Sequence, residues 1–577
     1  MANPLLFVRP LLRLQSVLRR LPVAIPTDAP TTDAIFLMLR RMRWPLISLI
    51  LVFSFSVFGL AATPGLDPDG HPRKLTVFES FYVMSYTATT IGFGEIPYPF
   101  TTQQRLWVTM TIYATVIVWA FAIGTMLALF QDEMFRDAVH GQRFARKVRV
   151  LRDDFHILAG YGQAGRMVGR GLDRLGRRFV AVDRHGGRID SLGTDGLSAD
   201  VPGLEADAAN PAVLGMAGLG SANCQGVLAL TDDDDANLAI VQAVHLLKPD
   251  VPVVARCANR EIAEHMAAFG AAAIINAYDR FGGYLTLALR RPAVYQLVAW
   301  LMSPPGTALP DRGEVESEGL WVVCAEGQFR DEIARDLRAA GFEVEFASAD
   351  NGHPDVSRAV GFVGGTDRDT VNLALAAEVR TEFPEVFICL RQSSTTRTRL
   401  YEAFSPDSLF VPTDLVGREA FARISTPRTW AFLEHAMEQD DAWAEDLVRR
   451  LVDRCGSGSP EPYGLVLNAK SAPAVVRWLR HHPATIGDLL RRPDDRDQVT
   501  ANFPVSLTRE GRSYFDPGED TEVKEGDEWL LGSRRHSHRD LSEVLFNDGV
   551  IEYVVTGNQV PSTWIWRKLT RRGYTTS

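Results

Sequence analysis

Two windows of the chain carry no charge over a length that crosses a bilayer, and they constrain the fold more than any other feature. They read WPLISLILVFSFSVFGLAATPG, from Trp44 to Gly65, and LWVTMTIYATVIVWAFAIGTMLALFQ, from Leu106 to Gln131. Each exceeds the roughly 20 apolar residues needed to span a membrane. A soluble helix of that length carries a polar stripe, and neither window has one. The rest of the chain is ordinary: of 577 residues 46% are hydrophobic and 23% charged, so the membrane part is a minority. The length leaves room for several domains.

Flanking charge sets the orientation. Arg40, Arg41 and Arg43 precede the first window, and Arg136, Arg143, Arg146, Lys147, Arg149 and Arg152 follow the second. Between the windows the basic residues are fewer: Arg73, Lys74 and, at the very edge of the second window, Arg105. Basic flanks stay on the cytoplasmic side, so both termini are expected there, on a multi-pass protein of the cell membrane. The five cysteines are scattered with no CxxC pair, as expected of reduced cytoplasmic thiols without a zinc site. A net charge of −10 argues against nucleic acid as a partner. The N-terminal LLFVRPLLRLQSVLRRL has four arginines and no acid, which reads as an interfacial amphipathic arm on the lipid surface.

Between the windows, LTVFESFYVMSYTATT (Leu75 to Thr90) reads as a helix too short and too polar to span, followed by Ile91-Gly92-Phe93-Gly94-Glu95. Non-helical backbone at membrane depth is tolerated only where it lines a water-filled or ion-filled cavity. The order span, re-entrant helix, TxGxGE, span resembles the two-span potassium channels. In that family rings of backbone carbonyls replace the hydration shell of K⁺. Stacking carbonyls on one side requires positive φ, which glycine adopts without steric cost. The resemblance implies that Thr90, Ile91, Gly92, Phe93 and Gly94 form a K⁺ filter and that four copies complete the ring. Phe93 stands for the commoner tyrosine and Glu95 for the commoner aspartate, keeping an aromatic behind the filter and a negative mouth. The second window's only glycine, Gly124, lies towards its cytoplasmic end. It is a gate candidate, either bending the helix or letting neighbouring helices approach.

After a basic linker comes FHILAGYGQAGRMVGRGLDRLGRRFVAVDR. An apolar strand runs into Gly160-Tyr161-Gly162-Gln163-Ala164-Gly165, then an amphipathic helix, then a strand ending at Asp183-Arg184. That is the dinucleotide-binding arrangement: glycines admit the phosphates to a helix N-terminus and the acid holds ribose hydroxyls. The blocks that follow resemble the regulator-of-potassium-conductance (RCK) family, Rossmann modules that gate channels. The resemblance places Asp207 and Ala208 in the adenine-side loop, although Ala206 stands where a glycine is usual.

The domain then repeats. Gly327, Gln328 and Gly341 align with Gly162, Gln163 and Gly176 at an offset of 165; Thr366, Asn372 and Arg391 align with Thr231, Asn237 and Arg256 at 135. The second copy has therefore lost 30 residues between its second and fourth strands. It carries Ala325, Arg330 and Ser348 where the first has Gly160, Gly165 and Asp183, so it is not expected to bind a dinucleotide. The acidic run Asp232 to Asp235 is expected to serve a helix N-terminus rather than calcium. His481-His482 lacks ligand spacing and is expected at the surface.

The expected organisation is a membrane α-helical pore followed by α/β Rossmann-type domains and a small α+β lobe. Its parts are an arm (1–35), a pore domain (36–135), a basic linker (136–152) and a first Rossmann domain (153–302). A linker (303–317), a second, shortened Rossmann domain (318–428), a helical connector over Trp430 to Val452 within 429–459, a C-terminal lobe (460–548) and a tail (549–577) complete it. These readings imply a K⁺ channel, not an enzyme, in what reads as a bacterial inner membrane, gated by an adenine nucleotide such as NAD or NADH. One alternative is a membrane-anchored nucleotide-dependent oxidoreductase, for which no proton-donor motif stands out. The other is a channel whose nucleotide site is vestigial and which answers another ligand.

Overall fold

The structure is a computed structural model that describes residues 34–131, 133–312, 318–350, 354–534 and 537–558. The N-terminal arm and the tail tryptophans, Trp564 and Trp566, lie outside the described residues apart from the arm's last two positions. The chain divides into two compact units. The first holds residues up to Gly160 with Arg177–Val227 and Gln242–Pro252; the second holds Tyr161–Gly176, Leu228–Val241 and Val253 onward.

The first unit begins with helix α1 (Ala34–Ala62), the short helix α2 (Val77–Ala88), α3 (Thr102–Gln131) and α4 (Glu133–Val150). Met42–Ala62 and Thr102–Ala128 are long and apolar enough to cross a membrane. Helix α2 starts at a reciprocal cap, in which Thr76 and Glu79 each accept the other's backbone N–H, satisfying amides a helix start leaves open. Spans α1 and α3 cross closely because Gly59 carries no side chain: a Cβ there would fall 1.8 Å from the Trp107 ring. Trp107 in turn donates its indole N–H to the Ser56 carbonyl at 3.1 Å. Val57, Leu60, Val83, Met84 and Phe100 fill the space between the three helices. The basic linker is the helix α4, which buries Phe144 and Val148 and pairs Lys147 with Asp200 at 2.9 Å.

A Rossmann sheet follows. Its elements are β1 (Phe155–Ala159), α5 (Gln163–Arg174), β2 (Arg178–Asp183), α6 (Gly186–Asp190), β3 (Gly203–Glu205), α7 (Pro211–Met216), β4 (Cys224–Ala229), α8 (Asp234–Leu247), β5 (Val253–Arg256), α9 (Arg260–Ala268) and β6 (Ala273–Ile275). The strand order is β3-β2-β1-β4-β5-β6, the doubly wound order of dinucleotide-binding sheets. All five residues of β1 are buried, His156 among them, which explains why the strand shows no alternation: strands covered on both faces do not alternate.

In the second unit, α10 (Ala277–Arg290) and α11 (Pro292–Leu301) lead to the second repeat. It comprises β7 (Leu320–Ala325), α12 (Gly327–Ala339), β8 (Glu343–Phe346), β9 (Ala359–Gly365), α13 (Asp369–Glu382), β10 (Phe387–Arg391), α14 (Thr398–Phe404) and β11 (Ser408–Phe410). Its order is β11-β10-β9-β7-β8. Strand β9 pairs with β7 as β4 neighbours β1, and among the described residues no strand corresponds to β3. The 30 residues missing from the sequence are the edge strand and its approaches.

Three helices follow: α15 (Pro412–Ser425), α16 (Pro427–Glu438) and α17 (Asp441–Cys455). The connector expected as one helical stretch is two helices. Gln439 turns extended, and the Asp440 side chain accepts the Trp443 N–H to start a new helix.

The helices that close each repeat are exchanged. From the first repeat, α10 lies on α12 of the second: a Cβ on Gly282 would fall 2.0 Å from Asp336, and Asp279 pairs with Arg335 at 3.1 Å. From the second, α15 lies on α5 of the first. Cβ atoms on Gly417 and Gly171 would fall 2.8 Å from Met167 Sδ and 2.6 Å from the Phe421 ring, and Thr413 donates its hydroxyl to Gln163 Oε1 at 3.0 Å.

The C-terminal lobe holds β12 (Glu461–Val466), α18 (Pro473–Leu479), α19 (Ile486–Leu489), β13 (Asn502–Arg509), β14 (Arg512–Phe515), β15 (Glu528–Ser533), α20 (His538–Phe546) and α21 (Asp548–Thr556). Its antiparallel sheet runs β12-β15-β13-β14. Ile551 and Val554 of α21 belong to the lobe core, which therefore runs past residue 548. His482 lies against Trp478 at the surface, their ring centroids 4.7 Å apart and the rings tilted by 38°.

Candidate functional site: the re-entrant segment and the Rossmann repeats

Helix α2 stops at Ala88, and the chain then leaves helical geometry. Gly92 and Gly94 have φ of +67° and +88°, the left-handed values for which the sequence supplies glycine. Thr90 also sits at φ +62°, a value a β-branched residue adopts only when its surroundings hold it. The sequence gives no warning of that strain. Two consecutive amides, of Ile91 and Gly92, donate to the Tyr86 carbonyl at 2.9 and 3.3 Å. The Tyr86 hydroxyl donates to the Gly94 carbonyl at 2.5 Å, and its ring meets Phe93 edge-on with centroids 5.5 Å apart. Glu95 accepts from both Nε and Nη2 of Arg105, at 2.7 and 3.0 Å, and from the Phe100 N–H at 2.8 Å. The negative mouth expected of Glu95 is thus offset by a cation of the same chain. At Gly124 a Cβ would meet nothing within 4 Å among the described residues.

The residues of the glycine-rich motif fall on both units, and each group is described on its own. In the first unit, Gly160 has φ +98° and donates its N–H to Val182 O at 2.8 Å, which closes the turn at the end of β1. Asp183 is buried at the end of β2. Its Oδ1 accepts the His185 N–H at 2.9 Å and lies 3.1 Å from His185 Nδ1, while Oδ2 pairs with Arg188 Nη1 at 3.3 Å. The Ala206 N–H donates to Asp183 O, and Glu205 sits in register beside Asp183. Arg184 is exposed. Asp207 accepts the Ala209 N–H at 2.9 Å, a local turn, and Ala208 is buried. In the second unit, Tyr161 is fully buried and α5 begins after Gly162 without any side-chain cap. Ala164 and Gly165 face inward on α5, while Gln163 is exposed.

The repeats share an atomic clasp. Asn237 Oδ1 accepts from Thr231 N and Oγ1 at 3.1 and 2.8 Å, and its Nδ2 donates to Thr231 O and Arg256 O. Asn372 makes the same four bonds with Thr366 and Arg391, the residues 135 further on. Asp234 accepts from Ala258 N and Asn259 N, and Asp369 from Ser393 N and Ser394 N. Asp234 of the acidic run, and its counterpart Asp369, are therefore each spent on two backbone amides.

What fills the second repeat is aromatic. Phe329 occupies the place of Ala164 and is 1% exposed. It stacks on Phe410 at 5.4 Å and meets Tyr278 at 5.6 Å, and a Cβ on Gly365 would fall 2.2 Å from its ring. The Arg391 guanidinium lies over the rings of Tyr278 and Phe329. Side chains of the protein take up the end of this sheet. All five cysteines are buried and unpaired. Burial raises their thiols to about 11 for Cys224 and Cys324 and about 12 for Cys257, Cys389 and Cys455, far from nucleophilic range.

Residues 156–277 match the TrkA-N domain family. The chain is 27% identical over 250 residues to an uncharacterized protein of Methanothermus fervidus, covering 43% of this chain and 37% of that protein. It is 23% identical over 215 residues to "Probable potassium channel protein 2" of Methanocaldococcus jannaschii, covering 35% of this chain and 57% of that protein. The chain thus spans less than two thirds of the length of either relative. Among solved structures, "GsuK channel bound to NAD" is similar at 14% identity and a TM-score of 0.41, covering 89% of this chain and 99% of that one. The chain carries a TrkA-N domain and is similar to a potassium channel protein.

Proposed function

We propose that the chain is one subunit of a potassium-selective channel that assembles as a tetramer in the cell membrane with both termini cytoplasmic. The observation that carries this reading is a helix that stops between two spans and hands over to two glycines at positive φ, in a chain that also holds a TrkA-N domain. Thr90 to Gly94 line the permeation path, and K⁺ is the cargo. Gating comes from an adenine nucleotide such as NAD or NADH at the Gly160–Gly165 motif, Asp183, Arg184, Asp207 and Ala208, transmitted to the second span near Gly124. A ligand opens or closes such a channel only by binding one state more tightly than the other. No enzymatic step is assigned.

The pore reading is tested by reconstituting the full chain in liposomes and comparing K⁺ with Na⁺ flux. Selective K⁺ flux is expected; equal passage of Na⁺ overturns the reading. One observation favours a second reading, in which the nucleotide site is vestigial: the Asp183 carboxylate is already held by Arg188 and His185. Titration with NAD⁺, NADH, ATP and ADP, against an Asp183→Ala control, decides between them. Saturable binding lost in the control supports nucleotide gating; no binding to either supports the vestigial site.

A further inference from the structure

The backbone from Ile91 to Gly94 has little packing of its own. Among the described residues, a Cβ on Gly92 or Gly94 would meet nothing within 4 Å. What fixes this stretch is polar, and Tyr86 serves both ends of it. Its carbonyl takes the amides of Ile91 and Gly92, and its hydroxyl takes the Gly94 carbonyl. One residue beyond, Glu95 is gripped by three donors: two from the Arg105 guanidinium and one from the Phe100 amide. A planar guanidinium meeting a carboxylate through two parallel bonds fixes direction as well as distance, which a lysine cannot do. Arg105 stands in the first turn of α3.

We propose that Arg105 is a positioning residue for the filter: through Glu95, and together with the Tyr86 hydroxyl, it holds the outer end of the carbonyl column and ties it to the second span. This rests on the channel reading above. The brace has two consequences. The acid beside the filter contributes orientation rather than a free negative charge at the mouth. The outer end of the filter also moves with α3, the helix that carries the gate candidate Gly124.

The test uses the full chain in liposomes, with Na⁺ and K⁺ permeability measured for the wild type, Arg105→Gln, Arg105→Lys and Tyr86→Phe. Assembly of each is checked by its size in detergent. Loss of one hydrogen-bonded charge is expected to raise Na⁺ permeation relative to K⁺ about tenfold in Arg105→Gln. Arg105→Lys is expected to fall between, since it keeps the charge but not the two-pronged geometry. A merely structural role would change yield or size but leave the permeability ratio alone. An assembled Arg105→Gln channel with the wild-type ratio overturns the proposal. Should that variant not assemble, Tyr86→Phe, which removes a single oxygen and keeps the ring contact with Phe93, decides in the same way. Failure of the wild type to prefer K⁺ would instead overturn the channel reading itself.

Discussion

His156, in the first strand of the Rossmann sheet, makes the stability of that sheet depend on pH in a calculable way. It is 9% exposed. Burial, with a smaller push from Arg177, lowers its pKa to about 4 from the ordinary 6.5. The folded state therefore prefers the neutral ring. Between pH 6.5 and 4 the unfolded chain binds a proton that the folded chain does not, so stability falls as pH drops through that window and levels off below it. Integrating the two pKa values gives a loss of about 2 kcal/mol at pH 5 and about 3 kcal/mol at pH 4, against about 0.2 kcal/mol at pH 7. His156→Gln removes the titrating group and should remove this part of the acid sensitivity. Hydrogen exchange of peptides covering Phe155 to Asp183, measured on wild type and variant at matched pH, isolates the effect because every other acid-sensitive group is common to both. Wild type should lose protection relative to the variant by about twentyfold between pH 7 and pH 5. A difference that stays constant across that range refutes the reasoning.

Asn372→Leu strips the partners from two donors and two carbonyls and should destabilise the second repeat by about 3 kcal/mol or more, read as lost exchange protection in β9 and β10; Asn237→Leu should do the same to the first. Phe329→Ala should cost about 3–5 kcal/mol in thermal unfolding without creating nucleotide binding, since Ser348 and Arg330 still stand where an acid and a glycine are needed. Gly92→Ala, forced to φ +67° at a cost of about 1–2 kcal/mol per protomer, should abolish selective K⁺ flux in liposomes.

Much of this was legible because the controlling physics is local. An uncharged window of bilayer length, a glycine required at positive φ and an apolar strand leading into a glycine-rich turn are properties of consecutive residues. The repeat was legible too, because Asn237 and Asn372 keep the same four bonds and hence the same spacing to their neighbours. Long-range partners were not. Nothing near Glu95 announces that Arg105, ten residues on, will occupy it, and Asp183 gives no sign of its pairing with Arg188. The amphipathic faces of α10 and α15 say that each is covered but not by which repeat. The break between α16 and α17 hangs on the Asp440 cap, which a run of good helix formers on either side conceals.

The exchange of α10 and α15 bears on how such a chain could have arisen and persisted. A duplicated gene usually frees one copy to be discarded once it loses its binding residues. Here the second copy supplies the helix that lies over Met167 and Gly171 of the first, and receives a helix in return. Deleting it would strip an apolar face from the copy that kept the glycines. The second repeat was thus free to carry Ser348, Ala325 and Arg330 in place of the acid and two glycines, but not free to leave.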